Sequence, residues 1–181
     1  DMPDPQNDYA ISKFEAEKGL WDIATETGLE IVILRLPLVY GHGVKGSLKR
    51  LIGLMNYGMP LPFSSINNQR SLIGIDNLIN LIIRCIEYPA AAGKTFLASD
   101  CEDLSTPDLL KHIASAMGRS PRLFPFPTLL LKFFGYVIGR SSEIDRLTGS
   151  LQVDTEYTKK ILNWTPPVSI REGIKRMIKS K

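Results

Sequence analysis

Apolar side chains recur at helical spacing at Ala10, Phe14, Trp21 and Ala24, and the chain then reaches Gly28. That pattern predicts a helix capped at Asn7 or Asp8 and stopped at the glycine. Next comes Ile31-Val32-Ile33-Leu34-Arg35-Leu36, a short β-branched run typical of a strand buried on both faces. Helix, glycine turn and buried strand together make half of a βαβ unit. Residues 39–68 are rich in Gly, Pro and Ser, with a helix expected over 47–56 and an edge segment at Leu61-Pro62-Phe63. Strands are predicted over 71–75 and 94–98, with a helix capped by Asp76 running to 88 between them. Thr106-Pro107 opens another helix, with Pro in the first turn and Gly118 as the stop. The pattern gives further helices over 129–138, 155–162 and 169–178.

Composition narrows the classes. The chain has 181 residues and a formal charge of +3, with its basic residues scattered, so no nucleic-acid arm is expected. Residues 123–139 are the most apolar stretch. Pro125, Pro127 and Lys132 interrupt them, which leaves far less than the ~20 residues a span needs. A buried or interfacial helix is expected there, and no membrane partner. Cys85 and Cys101 sit in no CxxC or Cys/His cluster, so no metal site is read, and two unframed thiols fit a reducing cytoplasm. His42 and His112 lack ligand-spaced partners and read as structural or solvated.

The chemistry lies near the start of the first helix, in Tyr9-Ala10-Ile11-Ser12-Lys13. A spacing of four sets phenol and ammonium on one helix face, about 5–6 Å apart at Cβ. A cation beside a phenol favours the phenolate, and such a pair can act as a general acid/base near neutral pH. The same ammonium can hold a ribose hydroxyl.

Tyr9/Lys13 is followed by a buried strand and Arg35-Leu36-Pro37-Leu38-Val39-Tyr40-Gly41, then by Arg70-Ser71-Leu72-Ile73-Gly74-Ile75-Asp76-Asn77-Leu78 and Leu162-Asn163-Trp164-Thr165-Pro166. In this order the segments resemble the extended short-chain dehydrogenase/reductase family, in its NAD-dependent epimerase/dehydratase branch. There, YxxxK precedes a motif like RxxNVYGP, an Arg-containing signature and an LGWxP close. The resemblance implies an α/β fold: part of a Rossmann-type doubly wound parallel sheet plus a smaller C-terminal substrate-binding lobe. Residues 1–42 would close the NAD(P)-binding domain. Residues 43–181 would mainly form the lobe, with 76–100 returning to the sheet.

It also implies roles. Tyr9 and Lys13 are the catalytic pair and, with Pro37, meet NAD or NADP. Leu38, Ser47, Leu48, Phe63, Arg70 and Arg146 lie where a UDP-sugar binds, with the two arginines toward phosphate. The implied activity is a UDP-hexose 4-epimerase that oxidises and re-reduces the sugar C4. A 4-ketoreductase of a UDP-4-keto-6-deoxy sugar is the alternative, because Leu38 replaces a common Asn, Ser71 an Asp and Gly74 a His. A non-catalytic NAD(P)-binding sensor is the rival of another class. A homodimer of the full-length enzyme stays open. The glycine-rich turn that meets the cofactor pyrophosphate has no match in these residues. In the resembled family it precedes YxxxK, so the chain reads as a C-terminal portion that would be inactive alone.

Overall fold

The computed structural model describes Pro5 and residues 8–179. The expected cap at Asn7 lies outside the described residues. Helix α1 spans Asp8–Thr27 and ends at Gly28, whose φ of +74° turns the chain toward strand β1, Val32–Arg35. Strand β2, Leu38–Tyr40, follows after two residues, and α2 covers Gly46–Asn56. Then come β3, Arg70–Gly74, and α3, Ile75–Glu87. A 3-10 turn at Pro89–Ala91 leads into β4, Lys94–Leu97, and β5 is the short Asp103–Leu104. The rest is helical: α4 Thr106–Ala116, α5 Thr128–Val137, α6 Ser141–Thr148, α7 Glu156–Leu162 and α8 Ile170–Lys179.

Among the described residues the strands form two small sheets. β1 pairs parallel with β4, from Val32 opposite Lys94 to Arg35 opposite Leu97. β2 pairs parallel with β3, and β3 pairs antiparallel with β5. Side chains alternate across a strand, so β3 serves two cores. Leu72 enters a cluster with Tyr40, Leu48, Leu110 and Ile174, while Ile73 enters another with Leu81, Phe96, Leu162 and Trp164. Mixed α/β layers with parallel pairing confirm the expected fold class.

Several departures have plain causes. Gly74 rather than Asp76 caps α3, and the Asp76 carboxylate instead takes a hydrogen bond from Arg176 at 2.9 Å. Ser105 caps α4, its hydroxyl accepting from the Asp108 amide. Helix α6 escapes the periodicity because only Ile144 and Leu147 carry its apolar face. At the end of α7, Asn163 adopts φ +45°, a left-handed position that Asn tolerates. That turn sends Leu162 and Trp164 into the same core.

A buried polar knot joins the sheet to α3 and α8. Asp100, 8 % exposed, accepts from the Tyr40 hydroxyl at 2.6 Å, the Asn77 amide at 2.7 Å and the Gly74 N–H at 3.1 Å. Burial, then the hydrogen bond and charge of Asp100, push the Tyr40 phenol far above its usual value, so it stays a neutral donor. Space is made by glycines: a Cβ on Gly74 would stand 3.1 Å from the Tyr40 oxygen, and one on Gly173 2.6 Å. This gives a physical reason for glycine at 74, where the resembled signature carries His. Tyr40→Phe should keep the ring packing yet strip a donor from a buried carboxylate. The expected cost is about 1.5–3 kcal/mol, read as a lower urea midpoint with an unchanged m-value.

Candidate functional site

α1 is fixed to β1 by a bidentate ion pair. Arg35 at the end of β1 donates to Glu17 at 2.7 and 3.1 Å, half-buried. Bidentate guanidinium–carboxylate pairs set orientation as well as energy, so the helix that carries Tyr9 is held against the strand that leads to Pro37. On that helix the Lys13 ammonium stands 5.7 Å from the Tyr9 ring centroid. Tyr9 is 73 % exposed, and its phenol is open to a ligand. Pro37 lies half-buried just past the carboxyl end of β1. Ligands of open α/β sheets bind outside the carboxyl ends of parallel strands. Tyr9 and Lys13 share one face of α1, and Pro37 stands at the strand end to which the Arg35–Glu17 pair ties that helix. The sequence contains no GxxGxxG run.

A second group forms where β3 meets the end of α6. Arg70 donates to the Arg146 carbonyl and, at 3.0 Å, to the Gly149 carbonyl. Burial, and next the positive charge of Arg146, lower the Arg70 guanidinium below its usual value. The positive charge of Arg146 thus reaches Arg70, whose own guanidinium is tied to the backbone. Glu143, whose carboxylate feels Arg146, is engaged first by Arg50 of α2.

The remaining predicted residues offer less side chain. Leu38 is half-buried on β2 opposite Leu72. Ser47 is half-buried in the first turn of α2, whereas Leu48 and Phe63 point into the first core. Only the backbone of Leu48 is left for a ligand there. His42 is exposed, and His112 is half-buried on α4.

Asn68 was not legible in the sequence. It is 2 % exposed, its amide donates to the carbonyls of Leu147 and Gly149, and its oxygen accepts from the Thr106 N–H. It pins the turn after Arg146 beside Arg70. Inside the polar run Asn67-Asn68-Gln69 it looks like a turn residue. Ser71 likewise links β3 to Asp103 at 2.6 Å and to the Val153 N–H at 2.9 Å. Serine in place of the signature's acid thus serves the sheet.

The NAD dependent epimerase/dehydratase family profile matches residues 1–98. A UDP-glucose 4-epimerase of Vibrio cholerae is 45 % identical over 173 residues, covering 95 % of this chain and 53 % of that protein. Among solved structures, UDP-glucose 4-epimerase with UDP-glucose from Thermotoga maritima aligns with a TM-score of 0.73 at 22 % identity, over 98 % of this chain and 54 % of that one. UDP-glucuronic acid 4-epimerase from Bacillus cereus, in complex with UDP-glucuronic acid and NAD, aligns at 0.74 with 20 % identity, over 97 % and 52 %. At these identities the structural likeness speaks for the fold alone. The chain spans about half the length of the relatives it matches. With the profile covering more than half of its residues, the chain belongs to the NAD dependent epimerase/dehydratase family.

Proposed function

We propose that the intact protein is an NAD(P)-dependent nucleotide-sugar 4-epimerase acting on a UDP-hexose. The observation that carries this reading is Arg70 fastened to the carbonyls of Arg146 and Gly149 at the end of α6, in a chain whose α1 also presents an exposed Tyr/Lys pair. A diphosphate suits the first, since guanidinium meets phosphate oxygens with several donors at fixed angles. A sugar hydroxyl suits the second. The bound nicotinamide supplies a hydride acceptor and donor. Tyr9 takes the proton from the C4 hydroxyl as the carbonyl forms, and returns it when the carbonyl is reduced. Lys13 keeps positive charge beside the phenol ring and offers donors to a ribose. Pro37, in the β1–β2 turn, would meet the nicotinamide.

The test is direct. The intact protein should convert UDP-glucose to UDP-galactose in the presence of NAD without net reduction of the cofactor. A second reading, a 4-ketoreductase of a UDP-4-keto-6-deoxy sugar, is favoured by Leu38, whose apolar side chain offers no hydrogen bond at a place where the family often uses Asn. It predicts stoichiometric oxidation of NADH or NADPH on a 4-keto substrate and no epimer from UDP-glucose.

Arg70→Ala should weaken UDP by about 1.5–3 kcal/mol, the range for a hydrogen bond to a charged group. Calorimetry should show the loss for UDP and little change for uridine, which lacks phosphate. Equal affinity of variant and parent for UDP would remove Arg70 from the site.

A further inference from the structure

Residues 109–142 contain five basic side chains, Lys111, Arg119, Arg122, Lys132 and Arg140, and no Asp or Glu. Helix α5 stands inside this stretch. Its inner face is seated by Leu131 and Gly135, and a Cβ on Gly135 would lie 2.7 Å from the Ile144 side chain of α6. The outer face is apolar and open. Leu129, Phe133, Tyr136 and Val137, spaced i, i+4, i+7, i+8 along one stripe, are 82 %, 59 %, 76 % and 65 % exposed. Soluble proteins rarely leave so contiguous an apolar stripe uncovered. Lys132 lies on the same helix, half-exposed and 3.6 Å from Asp145, and Arg140 follows just beyond its end.

We propose that this face of α5 docks on an anionic lipid surface. The helix would lie in the plane of the interface with its apolar stripe in the headgroup–acyl boundary. Lys132 and Arg140 would sit among the headgroups, as the long stems of basic side chains allow. A helix of 10 residues is about 15 Å long, half of the ~30 Å hydrocarbon core, so it rests on the bilayer and does not cross it. None of the helices among the described residues is long and apolar enough to span. A second copy of the chain fits less well as the occupant. Two-fold pairing through this face would bring together two chains that each carry +3. The expectation of no membrane partner weighed only a spanning segment, and this proposal goes beyond it.

The test uses the intact protein and vesicles of phosphatidylcholine, with and without phosphatidylglycerol. The protein should cosediment with the mixed vesicles and be released by salt. Leu129→Ser/Phe133→Ser/Val137→Ser should abolish binding, and its thermal melt should match the parent because these side chains are exposed. Lys132→Gln/Arg140→Gln should weaken binding to the mixed vesicles about 25-fold, each cation being worth about fivefold at an anionic surface. In Tyr136→Trp, the emission of the new indole should shift to the blue on those vesicles. Failure of the parent to cosediment would overturn the proposal, and so would binding that survives the triple substitution. A parent dimer that the triple substitution dissociates, without lipid binding, would assign the face to a second copy instead.

Discussion

Tyr9→Phe in the intact protein is expected to lower kcat by about 10²–10⁴, the usual worth of a general acid/base, while cofactor affinity stays close to the parent's. The reason is geometric. The ring lies on an exposed face of α1 with Lys13 beside it. The bidentate Arg35–Glu17 pair, which orients that helix, does not involve the phenol oxygen. The substitution removes one proton and leaves the backbone, the ion pair and Lys13 in place. Steady-state rates with saturating UDP-sugar, together with a titration of NADH fluorescence, separate the two effects. A variant with a parental kcat would take Tyr9 out of the chemistry. A variant that loses NADH as well as rate would mean that the phenol also holds the cofactor.

The sequence exposed most of the helices because their apolar positions repeat and their ends are punctuated. Gly28, Thr106-Pro107 and Gly118 are backbone signals that tertiary contacts did not override. β2 was hidden because three residues between Pro37 and Gly41 make too short a run for periodicity. The α6 helix was hidden because its apolar face is only two residues wide. The candidate site divided in the same way. Tyr9 and Lys13 are neighbours along one helix, so their proximity follows from spacing. Arg70 and Arg146 are 76 residues apart, and their meeting depends on Asn68 holding the turn at Leu147 and Gly149. No local pattern encodes that contact. Phe63 shows the reverse limit: an aromatic after Leu61-Pro62 reads equally as a base-stacking wall or as core, and it packs in the core.

Residues 1–181 by themselves are expected to bind UDP and not to bind NADH at micromolar concentration. The Arg70/Arg146 pair and the core that positions it lie wholly within the chain. For the dinucleotide, Tyr9, Lys13 and Pro37 can meet only the nicotinamide end, while no glycine turn among these residues offers amides to two phosphates. Each missing charged hydrogen bond is worth about 1.5–3 kcal/mol, and every ~1.4 kcal/mol is tenfold. The loss of three or four moves a micromolar ligand past millimolar. Among the described residues β4 is the only strand partner of β1, and Ile79, Ile82, Ile83 and Ile86 form an exposed apolar row on α3. Ile82, Ile86, Val32 and Leu34 also line a groove of about 530 Å³. An unpaired strand edge beside an apolar row invites association, so the isolated chain should grow in mass with concentration by light scattering. In the intact protein that growth should be absent and NADH should bind. Saturable micromolar NADH binding to residues 1–181 alone would contradict the assignment of the pyrophosphate site to residues outside this chain. Association with no loss of NADH affinity would separate the exposed edge from the cofactor site.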